Sequence, residues 1–178
     1  MEAFAYPIAP VPRTAVLVPW FSNAFSNGFS SGCVSGILRP RPVRIFRKGW
    51  GSDVVEFAPA AIAGTWEQWQ ALLRVSIPSL THAVIVLWRP GQERLTETDR
   101  DRLWDAFRVP VFEQVIGKSG ELFASECEAH DGLHLKSSRL PTDNEYVDAS
   151  PCPCGQKTSR IGCSQGTAML RRIAAYAR

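Results

Sequence analysis

Six residues separate Cys127 from His134, and Cys152-Pro153-Cys154-Gly155 follows downstream, so four thiol and imidazole groups fall into two tight clusters of a chain with five cysteines and three histidines. Thiolates and a neutral imidazole are the donors that a borderline-soft divalent ion such as Zn²⁺ prefers, and four of them complete a tetrahedron. Gly155 leaves the backbone free to fold back around an ion. His130 is a rival imidazole and Cys163 a rival thiol. A site with four protein donors has no open position for water, so it contributes folding free energy and does not activate a nucleophile.

Other residue clusters carry less chemistry. Glu113, Glu121, Glu126, Glu128 and Asp131 form an acidic stretch close to the donors in sequence. Such charges ordinarily make a solvated face, and one of them could accept the second ring N–H of His134 and fix its tautomer. Cys33 lies in a Ser/Gly-rich loop without a nameable base, so a nucleophile is not expected there. No catalytic residue and no organic cofactor site is expected.

Composition places the chain among soluble globular domains: 178 residues, 45% apolar and 21% charged, enough for one real core and short for two. A formal charge of +3 is too small to imply a nucleic-acid partner, which needs clustered Lys and Arg. The one basic run, Arg39, Arg41, Arg44, Arg47 and Lys48, alternates with Pro, Val, Ile and Phe and is expected to be a strand with one wet face. Residues 1–38 carry only Glu2 and Arg13 as charges and are expected to form an irregular apolar arm, with 39–178 a single α/β domain. Prolines interrupt every apolar run that could serve as an export signal or membrane span, so a cytoplasmic protein is expected. An odd number of cysteines in a reducing compartment favours a metal site over disulfides.

The elements that must position the donors follow from periodicity. Thr65 and Gln68 form a capping-box pair, and Trp66, Trp69, Leu72 and Leu73 recur at helical spacing, predicting a helix over 65–75. Residues 83–88, six apolar residues in a row, predict a strand buried on both faces. Thr96 and Asp99 open a second helix, expected to bury Leu103, Trp104 and Phe107 while Asp99, Arg100, Asp101 and Arg102 face water. A strand over 109–116 completes a right-handed βαβ unit, with Pro110 at its start or on an edge. Residues 121–125 and 133–136 suggest a hairpin, and 166–178 a closing amphipathic helix. The expected fold class is α/β: a small, partly parallel sheet with flanking helices and a C-terminal zinc-binding lobe at about 121–163.

Two segments, Glu126-Cys127-Glu128-Ala129-His130-Asp131-Gly132-Leu133-His134 and Cys152-Pro153-Cys154-Gly155-Gln156-Lys157-Thr158-Ser159-Arg160-Ile161, together with the layout from Leu95-Thr96 to Val109-Pro110-Val111-Phe112, resemble the later part of the N-terminal domain of phenylacetate-CoA ligase type adenylate-forming enzymes. The resemblance covers residues 84–161. It implies one zinc ion held by Cys127, His134, Cys152 and Cys154. It also aligns Glu113-Gln114-Val115-Ile116-Gly117 with the family's Tyr-Gly-x-Ser/Thr-Glu loop, whose ring and carboxylate serve the adenine and magnesium of ATP, and none of that chemistry is retained. Ser30-Ser31-Gly32-Cys33-Val34-Ser35-Gly36 is at best an echo of the phosphate loop, with no Lys after it. The ribose-binding Asp, the hinge and the C-terminal domain with its catalytic Lys fall beyond the last residue.

The expected function is therefore that of a non-catalytic, zinc-stabilised protein on an acyl-CoA ligase scaffold, binding a partner protein or a small acid, with neither nucleic acid nor membrane as partner. The apolar arm could mediate self-association. The competing expectation is a subunit or divergent fragment of an adenylate-forming aryl/acyl-CoA ligase completed by another polypeptide.

Overall fold

A computed structural model describes residues 11–17, 42–117, 120–136 and 147–162. Nine strands in these residues make one sheet in the order β2-β1-β3-β4-β5-β6-β7-β9-β8, so the sheet is larger than the sequence suggests. Its first half is parallel: β1 (Thr14–Val16), β2 (Val43–Ile45), β3 (Ala61–Gly64), β4 (Ala83–Trp88) and β5 (Val111–Ile116). Its second half is antiparallel: β6 (Leu122–Glu126), β7 (Leu133–Leu135), β8 (Val147–Asp148) and β9 (Arg160–Ile161).

The predicted βαβ unit is present, with Val84 opposite Val111 and Trp88 opposite Val115 in parallel register. Every residue of β4 and β5 is buried, as the unbroken apolar run of β4 in a parallel sheet requires, and β5 takes Glu113 and Gln114 into the interior with it. Pro110 precedes β5, where its lack of an N–H costs no ladder bond, while its carbonyl accepts from Val84 N at 2.9 Å. β2 alternates as expected, with Arg44 exposed between half-buried Val43 and Ile45.

Among the described residues three helices, α1 (Ser52–Phe57), α2 (Trp66–Leu72) and α3 (Glu97–Phe107), contribute Val54, Trp69, Leu72 and Leu103 to a single apolar cluster with Ala15, Ile62, Val84 and Val86 from the strands. Both predicted capping boxes form, Thr65 with Gln68 and Thr96 with Asp99. Each satisfies two backbone N–H groups that a helix start leaves without partners. Trp69 is fully buried, and its indole N–H donates to the Ile85 carbonyl at 3.1 Å, tying α2 to the middle of β4.

Four expectations need correction. Thr14, Ala15 and Val16, placed in an irregular arm, form a fully buried internal strand between β2 and β3; three residues are too short a run for alternation to reveal them. Trp104 is 48% exposed, because only Leu103 of α3 is buried and Phe107 packs at the cluster's edge against Trp69. Arg100 does not face water: its side chain is 19% exposed and reaches two buried carboxylates. Glu113 and Glu126 are accordingly buried, at 1% and 3% exposure, and are no solvated face. Glu128 alone of that group keeps the exposed role expected of it. Arg39 and Arg41 of the basic run, Cys33, the Ser30–Gly36 segment, Cys163 and the helix expected over 166–178 lie outside the described residues.

Candidate metal centre

The antiparallel half of the sheet carries the donors. Cys127 directly follows β6, His134 is the middle residue of β7, and Cys152 and Cys154 lie between β8 and β9. Pairing of Ser125 with His134, and of His134 with Arg160, brings residues distant in sequence onto adjacent strands. The four candidate ligand atoms all lie within 4.8 Å of one another, and Cys127, His134 and Cys152 are buried. Cys127 Sγ is 3.7 Å from Cys152 Sγ, and Cys154 Sγ is 3.3 Å from His134 Nε2. This cluster can hold a metal ion.

Local backbone geometry explains how a short loop presents two thiols. Gly155 has φ +82°, and its N–H donates to the Cys152 carbonyl at 3.0 Å, closing a tight turn whose left-handed residue glycine adopts without strain. Nothing lies within 4 Å of where a Cβ of residue 155 would sit, so backbone conformation, not crowding, selects glycine. The Gln156 N–H points at Cys154 Sγ at 3.5 Å, a donor that favours a thiolate.

The protein's own electrostatics keep most of the charge out of this cluster. Burial pushes the Cys127 thiol up to about 12, reinforced by the neighbouring thiols of Cys154 and Cys152. Burial opposes ionisation of Cys152 too, but the Cys154 N–H, the thiols of Cys154 and Cys127 and the positive charge of Arg160 outweigh it and bring that thiol down. Burial likewise lowers His134, keeping the imidazole neutral and able to donate a lone pair. A cation would supply the charge that allows Cys127 to ionise.

The tautomer of His134 is fixed by Thr158. Nδ1 lies 3.2 Å from the Thr158 carbonyl oxygen and 2.9 Å from Thr158 Oγ1; a carbonyl only accepts, so Nδ1 carries the proton and Nε2 faces the thiols. The carboxylate expected in this position is replaced by a threonine that the sequence did not single out. Arg160, fully buried, braces the same layer by donating to the Asp131 carbonyl at 2.9 Å, to the Asp131 carboxylate, and to Asp148 Oδ2 at 2.8 Å.

His130 is excluded as a donor. It has φ +50°, stacks on Phe112 with ring centroids 5.0 Å apart, and places Nδ1 3.1 Å from Glu126 Oε1. That contact belongs to a second buried network. Arg100 bridges Glu113 and Glu126, with distances of 3.0 and 3.2 Å to the two oxygens of Glu126, and Arg94 lies 3.2 Å from Glu113 Oε1. The Glu113 N–H donates to Glu126 Oε2 at 2.8 Å. Burial alone would lower Arg100, yet Glu126 and Glu113 together raise it.

No protein-family model matches the sequence, and neither does any curated protein sequence. Among solved structures, 2-hydroxyisobutyryl-CoA ligase in an open conformation, in complex with 2-HIB-AMP and CoA, is similar to this chain with a TM-score of 0.57 and 15% identity. The match covers 86% of this chain and 44% of the ligase chain, so this chain spans less than half of the ligase's length. No helix among the described residues is long and apolar enough to cross a membrane. At this level of identity the likeness is one of fold, and the fold of this chain is that of part of an acyl-CoA ligase.

Proposed function

We propose that this chain is a zinc-stabilised binding protein on an acyl-CoA ligase scaffold and does not itself catalyse adenylation. The observation that carries the reading is the buried convergence of Cys127, His134, Cys152 and Cys154. Thiolate donors about 2.3 Å from zinc stand about 3.8 Å apart at the edge of a tetrahedron, and the Cys127–Cys152 separation of 3.7 Å suits that edge. Three thiols with one imidazole form a closed structural donor set for zinc, which leaves no position for a reactive water. The ion would join the end of β6, the middle of β7 and the segment between β8 and β9, and would make folding of this half dependent on metal.

Glu113 supports the absence of adenylation. It stands where the family resemblance places the adenine-contacting Tyr, and its side chain is buried and held by Arg94 and Arg100. Gly117, at the position of the magnesium-side Glu, instead closes the β5–β6 turn, its N–H donating to the Glu121 carbonyl at 2.7 Å. A second reading, a ligase part completed by another polypeptide, draws on the shared fold over 44% of the ligase chain.

Native mass spectrometry and metal analysis of the purified chain test the first claim: one zinc per chain is expected, and loss of stoichiometry in Cys152→Ser. A metal-free folded chain, or full zinc in that variant, overturns it. ATP–pyrophosphate exchange with a panel of aryl and acyl acids should stay at background. Exchange by the isolated chain would refute the non-catalytic reading, and exchange only on adding a second polypeptide would favour the other.

A further inference from the structure

Beside α3 the surface opens into a pocket of about 730 Å³ whose lining includes none of the four metal donors. Trp104 forms part of its wall and is the one large aromatic among the exposed hydrophobic residues described. An indole left half open in a concave wall offers a flat apolar face with a negative quadrupole, which attracts cations and planar groups. Asp101 and Glu97 stand three and seven positions before it on the same stripe of the helix, and both line the pocket. Along α3, Asp99 pairs with Arg102 and Asp105 with Arg108, but among the described residues neither Glu97 nor Asp101 has an ion-pair partner.

The deeper wall does not offset this acidity. Arg94 and Arg100 are held by Glu113 and Glu126, and Asp131 is paired with Arg160 behind it. The lining therefore holds five carboxylates against two guanidinium groups, in a chain whose formal charge is +3. A small acid, one of the partners expected from the sequence, would meet repulsion here. A cation would find an aromatic face with two unpaired carboxylates beside it.

We propose that this pocket receives an arginine side chain from a partner protein, its guanidinium stacked on Trp104 and flanked by Glu97 and Asp101. Guanidinium fits better than ammonium because it is planar and more weakly hydrated, so it stacks on indole while its edge still donates to carboxylates. The inference names a partner chemistry for a binding protein and is independent of the metal reading.

The test is a titration of the full chain, as purified and ¹⁵N-labelled, with N-acetyl-arginine amide, following the Trp104 indole resonance assigned by its loss in Trp104→Phe. A saturable shift confined to that indole is expected, with no shift from the neutral citrulline analogue. The Glu97→Gln/Asp101→Asn double variant should bind about tenfold more weakly, as loss of two exposed charge contacts implies. Unchanged positions of the other indole resonances show that this variant is folded. Equal shifts from arginine and citrulline, equal affinity of the double variant, or a shift with phosphate and none with arginine amide would overturn the proposal. So would a Trp104 resonance that moves when residues 163–178 are removed without added ligand, which would assign the pocket to the chain's own arginines.

Discussion

Replacing Arg100 by Met should destabilise the protein more than truncating the neighbouring Trp104, the reverse of what their residue types suggest. Among the described residues Arg100 is the one cation that contacts both Glu113 and Glu126, whose side chains are 1% and 2% exposed, and it also donates to the Val111 carbonyl at 3.2 Å, pinning α3 to β5. Met keeps the apolar stem and removes the charge. Removing one partner of a buried ion pair costs about 3 to 5 kcal/mol, because the remaining charge is left without compensation. Arg94 remains on Glu113, and the Glu113 N–H and His130 remain on Glu126, so the lower end, about 3 kcal/mol, is expected.

Trp104 leaves 48% of its surface in water, and Trp104→Ala forfeits only the covered half of the ring, about 1 to 2 kcal/mol by area. Arg102→Ala, in an exposed pair with Asp99 at 3.7 Å, should change stability by less than about 0.5 kcal/mol. Urea denaturation monitored by circular dichroism, with m unchanged between variants, measures all three. Adding Glu126→Gln to Arg100→Met should recover about 1 kcal/mol or more, since one orphaned charge is then neutral. A loss under about 1 kcal/mol for Arg100→Met, or strict additivity with Glu126→Gln, would refute the claim that these residues form one buried network.

With its thiol pushed up to about 12 in the metal-free protein, Cys127 is protonated at pH 7, so metal binding must displace at least one proton per chain; calorimetry in buffers of differing ionisation enthalpy should show it, and zero release would contradict the donor assignment. Thr158→Val removes the hydroxyl 2.9 Å from His134 Nδ1 and keeps the carbonyl, so chelator competition should report affinity reduced by about tenfold with stoichiometry intact. Gly162→Ala should cost about 1 to 2 kcal/mol, because residue 162 has φ +66° and a Cβ there would strike the Arg94 guanidinium; an unchanged denaturation midpoint would show that Arg94 is not packed as described.

What sequence alone determined here is local. Capping boxes at Thr65 and Thr96, the unbroken apolar run of β4 and the Cys-x-Cys-Gly turn need only near neighbours to be satisfied, and each is found where the chain implies it. The four residues that converge into a cluster able to hold a metal ion were also legible, because thiol and imidazole are scarce types and clustered spacing is informative. Tertiary structure decided the rest. Arg100 lies among charged residues on an amphipathic helix, and nothing within that helix says that β5 and β6 will place Glu113 and Glu126 beneath it; the pairing that does so spans 13 and 26 residues. Trp104 is exposed for the complementary reason: the helix buries Leu103 against the strands, and the ring one position on is left 48% in water. Thr158 becomes the partner of His134 only through the β7–β9 ladder. Burial reverses the preference of a charged or aromatic group according to which strands pack against it, and that is settled by long-range pairing rather than by the residue's own neighbours in the chain.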